Sequence, residues 1–130
     1  MSALLTREAR ELIDLPEPAV LATVNDDGTP HTCVMWVARD GDRRLMSTKP
    51  ARRRYRDLQR RPRASVLVDS RRQPRRYVEV RGRAQLGGEG ARELMLRLAG
   101  AYLGGEHTSW PDEDERALIR IIPDRALMHG

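Results

Sequence analysis

The alternation of apolar and polar residues along the chain predicts a mainly β protein. Short apolar segments recur, and turn-forming Gly, Pro, Asn and Asp residues separate them. The predicted strands are residues 19–24, 30–38, 45–48, 63–69, 77–85 and 116–122, the last of which ends at Pro123. Short turns favour antiparallel pairing, and the absence of strand–helix–strand alternation argues against a doubly wound sheet. We therefore expect an antiparallel β-barrel, closed or split, because closure removes exposed strand edges.

Three further segments follow the helical period. Thr6 is placed to cap a first helix that ends near Ile13, before Pro16. A second helix is predicted to begin at Pro50, because proline is tolerated in the first turn of a helix. The third helix, residues 89–102, carries its apolar side chains on one stripe. The expected architecture is a barrel with helices inserted between its strands.

One predicted strand is apolar on both of its alternating faces, at residues 33–38. Such a strand is covered by the core on one side and by a partner, a helix or a ligand on the other. The chain has 130 residues, which suits one domain over residues 1–130, but only 39% of them are apolar and none is phenylalanine. The core of a single copy would be lean. We therefore expect a homodimer that buries the outer face of residues 33–38.

Hydroxyl and basic side chains meet where the third predicted strand passes into the second helix. Ser47 and Thr48 end the strand, and Lys49, Arg52 and Arg54 follow it. The free N–H groups and the dipole of a helix N-terminus favour an anion, and arginine and lysine are suited to binding phosphate. The pattern fits a phosphate-binding site. It also fits a solvated basic helix face, and the motif by itself leaves both interpretations open.

The charge of the chain points to an anionic partner. Its formal net charge of +5 suits a nucleic acid, a membrane surface, or a phosphorylated or carboxylated small molecule. The basic helix and the arginine-rich segment 71–76 suggest a nucleic-acid partner, but Tyr55 is almost the only aromatic residue among these basic residues. Recognition of unpaired bases needs aromatic stacking platforms. We therefore expect only weak, salt-dependent association and no specific nucleic-acid binding.

Other classes of site find little support in the sequence. Cys33 is the only cysteine, so no internal disulfide can form, and no spacing of Asp, Glu and His resembles a metal site. His31 and His107 are possible acids, but single histidines more often have structural roles, and no catalytic side chain is assigned. The acidic run 112–115 is typical of a solvated loop. No apolar stretch approaches membrane-spanning length and no signal-peptide core is present, so we expect a cytoplasmic protein with no membrane contact.

Several short motifs follow one another in a specific order. They are Leu-Ala-Thr-Val at 21–24, Asp-Gly-Thr-Pro-His at 27–31, Val-Met-Trp at 34–36, Ser-Thr at 47–48 with Arg52 and Arg54, Pro-Arg-Ala-Ser at 62–65, Tyr-Val-Glu-Val-Arg-Gly at 77–82 and Arg-Ile-Ile-Pro at 120–123. In this order and spacing the chain resembles the split-barrel flavoproteins related to pyridoxamine 5′-phosphate oxidase, in particular the subgroup that uses deazaflavin. The resemblance implies a split-barrel homodimer with two cofactor sites at the interface. Family members commonly bind FMN or the deazaflavin coenzyme F420 there and reduce small organic substrates.

The resemblance also implies which residues hold the cofactor. Arg52 falls on the family's phosphate-binding arginine, and Arg54 falls where the family has a lysine, so a planar guanidinium replaces an ammonium there. The hydroxyls at the end of strand 45–48 would be further phosphate ligands, and the backbone of residues 34–36 would flank the tricyclic ring. The candidate cofactor-binding residues are Val34, Met35, Trp36, Ser47, Thr48, Lys49, Arg52 and Arg54.

Two aromatic residues are candidate substrate contacts. Tyr77 begins the polar face of its predicted strand, which could lie at a wet interface near the substrate. Trp110, in the loop before the last strand, could cover a ligand from the partner subunit, although a tryptophan more often belongs to a core or its edge.

The favoured function is that of a reductase. Hydride transfer from a reduced deazaflavin is the cofactor's own chemistry, so the protein mainly orients and desolvates it and needs no catalytic side chain. Coenzyme F420 is preferred to FMN because its phosphodiester and oligoglutamate tail suit a surplus of arginine better than a single phosphate does. An FMN enzyme, a non-catalytic cofactor-binding protein of the same fold and a basic nucleic-acid binder are the alternatives.

Overall fold

The computed structural model describes residues 4–70, 72–73 and 75–130. Its elements in chain order are α1 (Arg7–Ile13), β1 (Ala19–Val24), β2 (Pro30–Met35), β3 (Ala38–Asp40), β4 (Arg43–Thr48), α2 (Arg53–Arg60), β5 (Arg63–Asp69), β6 (Tyr77–Gly87), α3 (Ala91–Leu103), a 3₁₀ turn (Glu113–Glu115) and β7 (Ala117–His129). Arg71 and Pro74 of the predicted loop between β5 and β6 lie outside the described residues.

The strands form one seven-stranded sheet in the order β2-β1-β5-β6-β7-β4-β3, and every neighbouring pair is antiparallel. Burial alternates along β1 and β5, as expected for strands with one face in a core. The buried side chains of six strands meet in one apolar cluster, which includes Leu21 of β1, Met46 of β4, Val66 of β5 and Ile119 of β7. The predicted mainly β, antiparallel split barrel is confirmed.

The three helices cover different parts of this barrel. Thr6 caps α1 as predicted, because its Oγ1 accepts a hydrogen bond from the Ala9 N–H at 3.1 Å. α1 packs on Val78 and Val80 of β6, and α3 packs on the outer side of β4 and β7. α2 places Leu58 in the main barrel core.

The prediction of one continuous strand over residues 30–38 is wrong. β2 ends at Met35 and β3 begins at Ala38, so the sheet has seven strands instead of the six predicted. The break is held by α3: the Tyr102 hydroxyl accepts from the Val37 N–H at 3.0 Å and lies 3.2 Å from the Val37 carbonyl oxygen. Because a side chain uses these backbone groups, they are withdrawn from the strand ladder.

The predicted start of the second helix is also wrong. α2 begins at Arg53, and Arg52 is its N-cap residue with an extended backbone. Pro50 lies instead in a turn that the Arg52 N–H closes by donating to the Lys49 carbonyl at 3.0 Å. Proline favours the second position of such a turn because its φ is already fixed near the required value. The turn separates the hydroxyls of β4 from the basic helix.

The last strand continues past Pro123, contrary to prediction, and runs to His129. Its register against β6 shifts at this point: Gly82 lies opposite Pro123, and Arg81 lies opposite Arg125. A bulge tolerates proline because the missing N–H is not needed in the ladder. Gly82 permits the close approach of the strands, since a Cβ there would overlap the Ile122 carbonyl.

Candidate functional site

A shallow cavity of about 190 Å³ lies where the end of β2, β4, α2 and α3 meet. It brings together residues that are far apart in the chain. Five of them were predicted from the sequence: Val34, Met35, Trp36, Ser47 and Arg54. Three were not predicted: Met95, Leu98 and Arg116. The cavity therefore has an apolar wall and an arginine-rich wall, and we call it the β2–α2 pocket.

The hydroxyls at the end of β4 hold the two arginines of this pocket. Arg116 Nε donates to Ser47 Oγ at 2.8 Å, and its Nη2 donates to the Ser47 carbonyl at 3.1 Å. Arg54 Nη1 lies 3.3 Å from Thr48 Oγ1. Thr48 has no exposed surface, so its hydroxyl positions Arg54 rather than lining the pocket. The Ser-Thr pair thus orients guanidinium groups, in addition to any contact that Ser47 makes with a ligand.

Positive charge accumulates at this wall. Burial lowers the pKa of Arg116, and the nearby charges of Arg54 and Arg52 lower it further. Arg54 Nε is buried and has no hydrogen-bond partner among the described residues. Clustered like charges repel one another, so an anion in the pocket would relieve this repulsion. The arginine wall fits a phosphate group.

α2 is fixed firmly against the barrel. Asp57 is 1% exposed, and its carboxylate accepts from Thr23 Oγ1 at 3.0 Å and from Arg60 Nη2 at 2.7 Å. Arg60 also pairs with Asp26 at 2.6 Å. Among the described residues, no side chain caps the start of the helix. The Arg52 and Tyr55 N–H groups donate to the carbonyls of Lys49 and Arg52, which leaves the N–H groups of Arg53 and Arg54 for an anion.

The other predicted cations differ in position. Arg52 is exposed and contributes to the field at Arg116, although it does not line the pocket. Lys49 forms an ion pair with Asp112, with 2.7 Å between Nζ and Oδ2. This contact lowers the pKa of the Asp112 carboxyl. The acidic run 112–115 is thus only partly a solvated loop, because Glu113 also pairs with Arg92 at 3.3 Å.

An aromatic cluster supports the apolar wall. The Trp36 ring stacks on Tyr102 with 5.1 Å between centroids, and Trp110 approaches its edge at 5.9 Å. Trp110 therefore lies behind Trp36 in an apolar cluster with α3. Tyr77 is elsewhere: it opens β6 opposite Asp69 and stacks on His129 at 4.6 Å. The structure brings Trp110 near the pocket but does not bring Tyr77 into it.

Sequence reasoning missed Arg116 because its neighbour in space is distant in the chain. The pairing of β4 with β7 sets Thr48 opposite Ala117 and Ser47 opposite Leu118, which places Arg116 beside the strand end. The only signal in the sequence is a basic residue immediately before an apolar strand. Such a signal becomes informative only when the partner strand and its register are known.

Two other kinds of feature were searched for in the described part of the chain. There, no group of three or more His, Cys, Asp or Glu side chains could hold a metal ion. None of the helices described is long and apolar enough to cross a membrane.

Comparison with known proteins gives a consistent family. The sequence profile described as pyridoxamine 5′-phosphate oxidase matches residues 5–130. A solved structure named F420 reductase is 28% identical, with 95% of this chain and 98% of that chain covered and a TM-score of 0.86. A conserved hypothetical protein, Rv2991 from Mycobacterium tuberculosis, is 23% identical over 100% of this chain and 88% of that chain, with a TM-score of 0.81. General Stress Protein 26 from Bacillus anthracis is 22% identical over 94% and 91%, with a TM-score of 0.75. No curated protein matches the chain.

Proposed function

We propose that this chain, which belongs to the pyridoxamine 5′-phosphate oxidase family, is an oxidoreductase that binds coenzyme F420 in the β2–α2 pocket. The observation that carries the proposal is the arginine wall: Arg54 and Arg116 face the pocket together, and the charge of Arg54 acts on Arg116. The similarity to a structure named F420 reductase supports the choice of cofactor. The family includes oxidoreductases that bind flavin or related cofactors.

The two walls of the pocket have separate tasks in this proposal. Arg54, Arg116 and the free N–H groups of α2 hold the phosphate, while Arg52 adds charge nearby. Val34, Met35 and Trp36 flank the ring and exclude water from it. When bound, the deazaflavin supplies hydride transfer to or from a small organic substrate.

The choice of F420 over FMN rests on the number of cations. FMN carries one phosphate, and Arg54 with Arg116 would suffice for it. Arg52 is exposed beyond the pocket and would suit the additional charges of a phosphodiester and an oligoglutamate tail. FMN remains the alternative occupant of the same site, and a non-catalytic cofactor carrier would use the same contacts.

The proposal includes a homodimer. A cavity of about 190 Å³ is smaller than the roughly 300–1,000 Å³ of typical ligand pockets, so one copy encloses only part of a cofactor. Val34, at the rim, is 68% exposed. A second copy that packs on the outer face of residues 33–38 would cover Val34 and complete the enclosure. Light scattering at micromolar concentration should give twice the chain mass, and a monomer mass would contradict this part of the proposal.

Nucleic-acid binding is less well supported, because acids neutralise several of the arginines that suggested it. Arg63 pairs with Asp124 at 2.9 Å, and Arg76 lies 3.8 Å from Glu8. Arg60 is engaged by Asp57 and Asp26, as described above. The absence of specific nucleic-acid binding stays a prediction.

Titration of the purified protein with F420 and with FMN, followed by absorbance and fluorescence, tests the proposal. F420 should bind more tightly. Replacing Arg54 or Arg116 with Ala should weaken its binding by about 10- to 150-fold, since a charge-assisted contact is worth roughly 1.5–3 kcal/mol. Turnover with candidate substrates then separates an enzyme from a carrier.

Arg56→Ala is the matched control. Arg56 lies on the same helix, is exposed, and has no ion pair among the described residues, so its loss should leave affinity nearly unchanged. Arg60 does not serve this purpose because it binds Asp57. Equal, small losses for Arg54→Ala, Arg116→Ala and Arg56→Ala would show that the helix is only a basic surface.

A further inference from the structure

One acidic side chain stands among the cations next to the β2–α2 pocket. Asp112 pairs with Lys49 at 2.7 Å, and its charge also acts on Arg116. Lys49 directly follows Thr48, whose hydroxyl positions Arg54. The carboxylate of Asp112 therefore pairs with Lys49, which the sequence analysis assigned to phosphate binding. A carboxylate is itself an oxyanion, so it can stand in for a ligand oxygen.

The conformation of the turn holds Asp112 in place. Asp112 has a left-handed backbone, with φ of 60°, which is uncommon outside glycine but tolerated best by Asp and Asn. The Asp112 carbonyl accepts from the Glu115 N–H at 3.0 Å. Glu113 accepts from the Trp110 N–H at 3.1 Å and pairs with Arg92 of α3. Contacts on both sides of Asp112 thus fix the turn, and Trp110 packs it against the pocket wall.

We infer that Asp112 is an internal competitor for the anionic ligand of the pocket: its carboxylate occupies Lys49 in the free protein, and a bound phosphate displaces it. This inference rests on the proposed anion site. It adds a residue of opposite charge that lowers the affinity of that site.

The strength of the pair is suited to this task. The Lys49 and Asp112 side chains are 33% and 50% exposed, so solvent screens their attraction and the pair is weak. A phosphate that gains Lys49 in addition to the two pocket arginines can offset so small a loss. An anion that reaches Lys49 has to displace Asp112, so the carboxylate lowers the affinity of the site without preventing the binding of a phosphorylated ligand.

Asp112→Asn tests the inference, because asparagine keeps the shape and tolerates the left-handed backbone while it removes the charge. The probes are inorganic pyrophosphate, followed by NMR shifts of the amides of residues 47–54, and F420, followed by fluorescence. Both should bind about two- to five-fold more tightly than to the parent protein at low salt, and the gain should shrink as salt rises.

Asp114→Asn is the control. It changes the net charge by the same amount in the same loop, and Asp114 is exposed without an ion pair among the described residues. An equal gain in affinity in both variants would show that the effect comes from the net charge alone, and would overturn the inference. Weaker binding in Asp112→Asn would also overturn it, because Asp112 would then be holding Lys49 in place for the ligand.

A double-mutant cycle with Lys49→Ala locates the effect. If competition acts through Lys49, Asp112→Asn should gain little in the Lys49→Ala background. A full gain there would contradict competition at Lys49. Arg54→Ala separates this inference from the proposed function: if it weakens binding while Asp112→Asn has no effect, the anion site stands and the competition does not. If neither substitution changes binding, the proposed site itself is wrong.

Discussion

Arg116 is partly and Arg44 fully withdrawn from solvent, on or beside the paired strands β4 and β7, and their surroundings differ. Arg116 borders the β2–α2 pocket and donates twice to Ser47. Arg44 is 0% exposed, and none of its three guanidinium nitrogens has a hydrogen-bond partner among the described residues. Burial lowers the pKa of Arg44 to about 10, while Tyr102 and Asp14 counteract this and Arg39 adds to it.

An arginine in a binding site differs from a buried arginine that only destabilises the fold. An arginine that faces a cavity can recover its desolvation penalty from a ligand, and polar neighbours already hold it in position. An arginine sealed inside a barrel has no access to a ligand, so its charge opposes folding. Burial and lowered pKa occur in both regions, and only the cavity and the oriented donors mark the first as functional.

Replacing Arg44 should have the largest effect on stability. Arg44→Met keeps a long, flexible side chain but removes the sealed charge. It should raise the free energy of unfolding by about 1–4 kcal/mol, since apolar replacement of buried charges is often stabilising. Urea denaturation measures the change. Arg43→Met, the same substitution at the exposed neighbouring position, should stay within about 0.5 kcal/mol of the parent. A less stable Arg44→Met variant would mean that the interior provides the guanidinium with partners, and would remove the contrast with Arg116.

Sequence reasoning succeeded where the determining contacts are local. The cap at Thr6 lies three residues from the N–H group that donates to it. Ser47, Thr48 and Arg54 lie within one strand–turn–helix segment, so their proximity is predictable, but Thr48 orients Arg54 instead of lining the pocket, and the binding role of Ser47 and Arg54 stays a prediction. In the segment 33–38, which is apolar on both faces, Met35 and Val37 join the core while Val34 and Trp36 line the pocket, and what covers that second face stays a prediction. Each of these features depends on residues a few positions apart.

It failed where a distant segment decides. Tyr102, 65 residues from Val37, breaks the predicted strand 30–38. The path of β7 past Pro123 depends on Gly82, which faces it across the sheet. Arg44 lies just before the predicted strand 45–48 but within β4 of the structure, and its complete burial depends on the whole barrel. The register of the strands and the closure of the barrel determine these features, and no local sequence pattern contains them.

Tyr102 contacts the wall of the β2–α2 pocket and also acts on Arg44, so we expect removal of its hydroxyl to have an effect of intermediate size. The ring stacks on Trp36 of the pocket wall, while the hydroxyl holds Val37 and acts on Arg44. Tyr102→Phe should lower the free energy of unfolding by about 0.5–1.5 kcal/mol through the lost hydrogen bonds and should shift the tryptophan fluorescence. Tyr55→Phe is the control, since the Tyr55 hydroxyl makes no hydrogen bond within the described residues. Unchanged stability would show that Val37 does not need this contact to end β2.

The smallest effect is expected at Asp14, the carboxylate whose charge counteracts the lowered pKa of Arg44. Arg39 donates to both Asp14 oxygens, at 2.8 and 2.7 Å, and this contact lowers the pKa of Asp14 below 3.8. A lowered carboxyl pKa stabilises the fold above the unfolded value, and this stabilisation is lost as pH falls through the folded value. Asp14→Asn should therefore unfold more easily than the parent at about pH 7, by at most about 1 kcal/mol because Asp14 is half exposed, and the difference should shrink as pH falls through the lowered pKa of Asp14. Thermal unfolding of both proteins across this range measures it, with Asp40→Asn, at an exposed position without an ion pair among the described residues, as the control. A difference that persists in acid would show that the stabilisation does not depend on the ionised carboxylate of Asp14.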